Sequence, residues 1–269
     1  MLLIIFGIYM KYLGGKQRLG KYISFILHEL WNKYNTKFKF KGYMEPFCGS
    51  LGVFKHMTDL NTNKIIANDY HPDLIELWNS VKYNKFRYPK SISEDQYNKA
   101  KLIKSPSAYK AFVGFGMSFG GRYFGAYSQK YLGNKKEDFC KEMTNSLKKI
   151  APMIQDKKVK FTNKDYKSLN LNNMFIYCDP PYQKTLFPIK YRTSTKKYDR
   201  FDNEEFWDIM REWSKSNVVV ISETHAPKDF KCIWKKTKYR SAAQSKKTRF
   251  KTMKNVYMVE KLFMHETLL

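Results

Sequence analysis

Met174-Phe175-Ile176-Tyr177-Cys178-Asp179-Pro180-Pro181-Tyr182 is the stretch on which the reading of this chain turns. Its first five residues form an unbroken apolar run, preceded by Asn172-Asn173 and followed, after one aspartate, by two prolines. A short apolar run bounded by turn residues reads as a buried strand. Neither proline carries a backbone N–H, so ladder pairing stops there. The segment sets a carboxylate, a stiff turn and an aromatic ring at the C-terminal edge of a strand. Open α/β sheets bind their ligands at that edge.

Such a set suits chemistry on a flat amine. Ionised Asp179 accepts hydrogen bonds and donates none, and so does the Pro180 carbonyl. Two acceptors on one exocyclic –NH2 draw its hydrogens away and favour localising the nitrogen lone pair. The Tyr182 ring can stack on the heterocycle, and proline stiffness keeps both acceptors in place during reaction. The plainer reading is a structural Asp-Pro-Pro turn with Tyr182 as ordinary packing. The tetrapeptide alone leaves both open.

The other residues bound the choice. The chain has 269 residues, 43% hydrophobic and 17% aromatic, enough for one large α/β domain or one domain with an insertion. Lys and Arg number 50 against 24 Asp and Glu, a net charge of +26. The basic residues are spread along the chain, which points to a polyanionic partner, nucleic acid being the usual one. An A+T-rich coding sequence would also enrich Lys, Asn, Tyr and Ile. Cys48, Cys140, Cys178 and Cys232 show neither a disulfide framework nor metal-ligand spacing with the five histidines. No metal is expected, and a reducing, intracellular and cytoplasmic setting fits. Met1–Tyr9 is apolar but too short to cross a bilayer. It lacks the marks of a signal peptide, so it reads as an extra strand or as residues ahead of a start at Met10. No membrane association is expected.

Several segments frame the central one. Met10-Lys11-Tyr12-Leu13-Gly14-Gly15-Lys16 is a glycine turn opening a helix, with Leu19, Ile23, Ile26, Leu27 and Leu30 at helical spacing. Free N–H groups at a helix entry favour an anion. Lys41–Phe47 reads as a strand, Cys48-Gly49-Ser50-Leu51-Gly52 as a glycine loop, and Val53-Phe54 as the start of a helix. Lys64–Ala67 is the next strand, ending in Asn68-Asp69. Asp69 stands about 20 residues beyond the glycine loop, the spacing of an acid that holds ribose hydroxyls. The alternative for Asp69 is a cap for the helix begun by His71-Pro72.

Residues 85–150 change character and read as an inserted recognition region. Their centre, Gly114–Tyr127, mixes glycine, aromatics and Arg122. Arg122 can bond phosphate or guanine, and aromatics such as Tyr123 and Tyr127 can stack or wedge. A glycine-aromatic packing turn is the alternative. Lys158–Phe161 resumes the sheet. Gln183–Arg200 reads as a loop over the site. Asp202 and Glu205 read as a capping box for a helix burying Phe206, Ile209, Met210 and Trp213. Asn217–Ser222 and Asn255–Phe263 read as strands, with a basic run at Lys235–Lys254 between them.

In this order, Tyr12-Leu13-Gly14-Gly15-Lys16, Glu45-Pro46-Phe47-Cys48-Gly49, Asn68-Asp69 and Asp179-Pro180-Pro181-Tyr182 resemble the motifs of DNA adenine methylases of the Dam-like, D12 class. The resemblance implies an α/β fold: a Rossmann-like, S-adenosylmethionine-dependent methyltransferase sheet of seven strands with an inserted, mainly helical target-recognition region. The catalytic part would be 1–84 and 151–269, and the recognition part 85–150. Tyr12, Lys16, Phe47, Gly49, Asp69 and Asp179 would meet S-adenosylmethionine. Asp179, Pro180, Pro181 and Tyr182 would hold the target base, and Arg122, Tyr123 and Tyr127 would meet double-stranded DNA. The family commonly has Trp at the position of Tyr12, and the Asn-containing motif of GATC-specific members is missing here. N4-cytosine or RNA adenine methylation, or a silent DNA-binding protein on this fold, are the alternatives. Asp179 resembles the adenine pattern more than the Ser-Pro-Pro-Tyr of N4-cytosine enzymes.

Overall fold

Apolar runs between glycine and proline punctuation build the centre of the molecule. A computed structural model describes residues 10–129, 131–132, 135–136, 138–181, 201–239 and 257–269. Its strands are β1 (Tyr43–Glu45), β2 (Ile65–Asn68), β3 (Tyr131–Leu132), β4 (Lys135–Lys136), β5 (Val159–Thr162), β6 (Phe175–Cys178), β7 (Val218–Glu223), β8 (Phe230–Tyr239) and β9 (Tyr257–His265). Its helices are α1 (Gly20–Phe38), α2 (Pro72–Lys82), α3 (Glu94–Lys101), α4 (Ala108–Gly116), α5 (Phe139–Ile154) and α6 (Asn203–Ser214).

Seven strands form one mixed sheet in the order β5-β2-β1-β6-β7-β9-β8. The first five are parallel, and β9 runs antiparallel between β7 and β8. β3 and β4 pair only with each other. All residues of β6 and β7 are buried, as a parallel strand covered on both faces requires. Their side chains alternate between two apolar layers. Phe175, Tyr177, Val218 and Val220 join the layer containing Trp31 of α1, whose ring lies 5.8 Å from that of Phe175. Ile176, Cys178, Val219 and Ile221 join Phe206, Met210 and Trp213 of α6.

The chain passes from β1 outward to β2 and β5, then returns to β6 and continues outward to β7. Strand order therefore reverses between β1 and β6. The loops after these neighbouring strands diverge and leave a crevice at the carboxyl edge. Glu45–Gly49 and Asp179–Pro181 both leave the sheet there.

Some local expectations change. The helix expected from Val53-Phe54 is one 3-10 turn, Phe54–His56. Lys55 Nζ is tied to Gln17 Oε1 at 2.5 Å, fixing this turn against the entry of α1. Asp202 caps α6 by accepting from the Glu204 and Glu205 N–H groups at 2.9 and 3.1 Å. Glu205 does not complete a capping box: its carboxylate instead accepts from Lys167. The helices of 85–150 share the apolar layer of the sheet, through Tyr97 of α3, Phe112 and Phe115 of α4, and Leu147 of α5. Met1–Tyr9, Gln183–Arg200 and residues 240–254 of the basic run lie outside the described residues.

Candidate active site

Asp179 follows the last residue of β6, so the buried strand fixes its backbone at the crevice. The turn at Tyr12–Lys16, closed by Gly15 N–H donating to the Tyr12 carbonyl at 3.1 Å, brings a cation to the same place. Lys16 Nζ lies 2.6 Å from Asp179 Oδ1 and 3.7 Å from Glu260 Oε1. Burial opposes the ammonium, but the charges of Asp179, Glu260 and Glu223 outweigh it, and the Lys16 pKa is raised. Asp179 shows the converse balance. Burial pushes its carboxyl up to about 6, Lys16 pulls it down and Glu260 pushes it up.

A second carboxylate organises the glycine loop. Gly49 takes a φ of +46°, and its N–H donates to Asp69 Oδ2 at 2.9 Å. Asp69 Oδ1 accepts from the His71 N–H at 2.9 Å, and Trp78 Nε1 donates to the Gly49 carbonyl at 2.9 Å. His71 itself occupies the N-cap position of α2. Asp69 thus ties the loop after β1 to the entry of α2, and each of its oxygens keeps a further lone pair. Burial lifts its carboxyl to about 6, against the two backbone N–H groups that favour the anion. Asn68 adds a clasp: its Nδ2 donates to the Pro46 and Lys164 carbonyls at 3.0 and 2.9 Å. The loops after β1, β2 and β5 are thereby held together.

Aromatic rings complete the walls. A Cβ on Gly49 would come within 3.1 Å of Tyr12 Cε1, so the Tyr12 ring lies on the loop. Phe47 packs on Tyr166, Phe201 and Phe206 at centroid distances of 5.0, 6.1 and 6.0 Å. The Tyr166 hydroxyl is buried without a hydrogen-bond partner among the described residues. A glycine cradle, a carboxylate with spare lone pairs and an orphaned hydroxyl beside aromatic rings fit an adenosine-type group. Among the described residues, no cluster of three His, Cys, Asp or Glu is placed to hold a metal. No described helix is long and apolar enough to cross a membrane.

Pro180 is buried and Pro181 half-buried; Tyr182 lies outside the described residues. The glycine-aromatic turn is built around the Ser118–Tyr127 bridge, with Phe119 N–H on the Ala126 carbonyl at 2.9 Å. Arg122 is exposed on it. Tyr123 donates its hydroxyl to Asp73 Oδ2 at 2.6 Å, and Tyr127 donates to the Ile92 carbonyl at 2.7 Å. Both hydroxyls thus tie the turn to the protein. Gly121, at φ +68°, packs so closely that a Cβ would meet the Lys11 carbonyl carbon at 2.4 Å and the Tyr12 nitrogen at 2.5 Å. The turn therefore rests on the backbone of the Tyr12–Lys16 motif.

The sequence alone pointed to no part for Tyr166, Glu223 or Glu260, and named Glu45 only as the first residue of the Glu45–Gly49 motif. Glu45 is 2% exposed, and burial holds its carboxyl well above the usual range while Tyr43 donates to it at 2.6 Å. A carboxylate inside an apolar strand, as in Met258-Val259-Glu260-Lys261-Leu262, was the available signal for Glu260.

A family model described as D12 class N6 adenine-specific DNA methyltransferase matches residues 12–112 and 122–257. The Type II methyltransferase M.FokI of Planomicrobium okeanokoites is 24% identical over 198 residues, 62% of this chain and 30% of the length of that relative. Matched from the Tyr12 motif to the start of β9, the chain belongs to the D12 class N6 adenine-specific DNA methyltransferase family.

Proposed function

We propose that this chain transfers a methyl group from S-adenosylmethionine to N6 of an adenine in double-stranded DNA, at a defined target sequence. The observation that carries this reading is Asp179, at the strand-order reversal and bonded to Lys16, with the glycine loop after the neighbouring strand β1 held by Asp69. When bound, S-adenosylmethionine supplies an electrophilic methyl group. Asp69 would hold its ribose hydroxyls, with Gly49, Phe47 and Tyr12 lining the pocket, and Lys16 would act mainly through Asp179.

The target adenine must leave the duplex, since base pairing buries its amine. Asp179 and the Pro180 carbonyl accept the two N6 hydrogens, and Tyr182 stacks on the ring. As the N–C bond would form, the methyl group's bond to the sulfonium sulfur would break, its electron pair leaving with the thioether of S-adenosylhomocysteine, and N6 would shed one proton, which the Asp179 carboxylate accepts or relays to water. Ionised Asp179 is the form this requires. Pro180 and Pro181 hold the acceptors in position, so little reorganisation accompanies the step.

Residues 85–150 would carry target recognition, with Arg122 reading a base edge or phosphate and Tyr123 and Tyr127 serving as posts for the turn. The net charge of +26 suits the phosphate backbone. Expression in a methylation-free host, followed by sequencing that detects modified bases, tests the proposal. N6-methyladenine in one sequence context is expected; unmodified DNA from a host making folded protein would refute it.

A further inference from the structure

A cavity of about 670 Å³ opens between the start of α1, the 3-10 turn at Phe54–His56, α5 and β8. None of the residues assigned above to methyl transfer, cofactor or DNA lines it. Arg18, Lys21 and Lys149 bring exposed cations to its rim, and Lys55 supplies a buried one. Among the described residues that line it, none is acidic. Burial and the charge of Lys21 together hold the Lys55 ammonium down to about 8. Burial, Lys55 and Lys21 hold His56 down to about 4. Burial is the larger cause of both shifts; the like charges of Lys21 and Lys55 add to it, and Asp59 opposes it at His56.

The same wall carries rings. Lys21 and Phe25 are four residues apart and Tyr22 and Phe25 three, so they share one side of α1, and Arg18 lies in the turn that leads into it. Tyr22 is 54% and Phe25 64% exposed, which is costly for rings that serve only as packing. Lys236 Nζ sits 3.0 Å from the Tyr22 ring centroid, adding a cation on that side. Cations interleaved with exposed rings are what a strand of unpaired nucleotides needs: phosphates on the charges and bases on the rings. A duplex offers phosphates but keeps its base faces stacked inside.

We propose that this cleft is a second nucleic-acid site, separate from the methyl-transfer centre. It takes a single strand with phosphates on Arg18, Lys21 and Lys149 and a base against Phe25.

Fluorescence anisotropy of a labelled oligothymidylate tests this on the full chain without cofactor. The probe contains no adenine, so it offers the methyl-transfer centre no target, and the result does not depend on the proposed activity. Lys21, Lys149 and Phe25 are exposed, so their substitution leaves the fold intact. Lys21→Ala/Lys149→Ala is expected to weaken binding and to lower the log–log salt slope by about 1.4, at about 0.7 per single-strand contact. Phe25→Ala is expected to weaken it about fivefold or more, with methylation of a target duplex unchanged in all variants. Wild-type binding and salt slope in both variants would overturn the site. Equal competition by a guanine–cytosine duplex, with Phe25→Ala without effect, would overturn the single-strand assignment. Parallel loss of methyl transfer would overturn the separation from the catalytic centre.

Discussion

Lys16 Nζ lies 2.6 Å from Asp179 Oδ1, across 163 residues of sequence, and 3.7 Å from Glu260 Oε1. One buried ammonium is thus shared between the carboxylate at the crevice and a carboxylate on β9. Burial weighs most on how readily Asp179 ionises, with Lys16 favouring the anion and Glu260 opposing it.

Asp179 accepts the amine hydrogens only when ionised, and burial lifts its pKa to about 6. On this account kcat/KM rises with pH and levels off above about 6, falling about tenfold per unit below. Lys16→Gln removes the charge that favours the anion, so the acid limb moves to higher pH. Glu260→Gln removes a repelling carboxylate, so the limb moves to lower pH. Three pH–rate profiles check this; coincident limbs would detach Asp179 from the ionisation that governs the rate.

Asp69 joins two functions that separate on mutation. Asp69→Ala is expected to weaken S-adenosylmethionine binding by about 1.5–3 kcal/mol, tenfold or more. It also strips the Gly49 and His71 N–H groups of their acceptor, at about 1–3 kcal/mol of stability for each donor left buried. Calorimetry and thermal melting measure the two effects. An unchanged cofactor dissociation constant would remove Asp69 from the pocket.

Gly121 supports the Tyr12 motif from outside. Gly121→Ala forces a Cβ into the Lys11–Tyr12 backbone at a φ of +68°. A loss of about 1–3 kcal/mol in stability is expected, with weaker cofactor binding as Tyr12 shifts. A variant that melts and binds cofactor as wild type would show that the contact is not needed.

Arg122 tests recognition apart from chemistry. If it reads a base edge, Arg122→Ala relaxes preference at one target position by about 1–3 kcal/mol. If it touches phosphate, binding weakens on all sequences and the salt dependence becomes shallower. Methylation rates over single-base site variants at two salt concentrations distinguish these. Unchanged rates, preference and salt slope would place Arg122 away from DNA.

The most legible parts of the sequence were those set by local physics. The apolar run ending in two prolines identified β6 and the position of Asp179, because strand burial and ladder termination act within a few residues. The spacing of Gly49 and Asp69 is fixed by one strand-loop-strand unit and was equally readable. The Lys16–Asp179–Glu260 cluster was not, because it depends on β9 inserting beside β7, a tertiary fact with no local trace. The helix expected at Val53 failed for a similar reason: Lys55 is held by Gln17 from the α1 entry, and the segment closes after one turn. Tyr123 and Tyr127 could be read as DNA-facing aromatics or as part of a packing turn; nothing near them in sequence announces their hydroxyl partners, Asp73 and the Ile92 carbonyl.

The central claim is methyl transfer to adenine N6 at Asp179. Its most direct test is nucleoside mass spectrometry of unmodified DNA incubated with S-adenosylmethionine and either wild-type protein or Asp179→Ala. N6-methyladenine with the wild type, and none with an Asp179→Ala variant whose fold is verified by circular dichroism, is the predicted result. N4-methylcytosine as the product, or near-normal turnover by the folded variant, would contradict it.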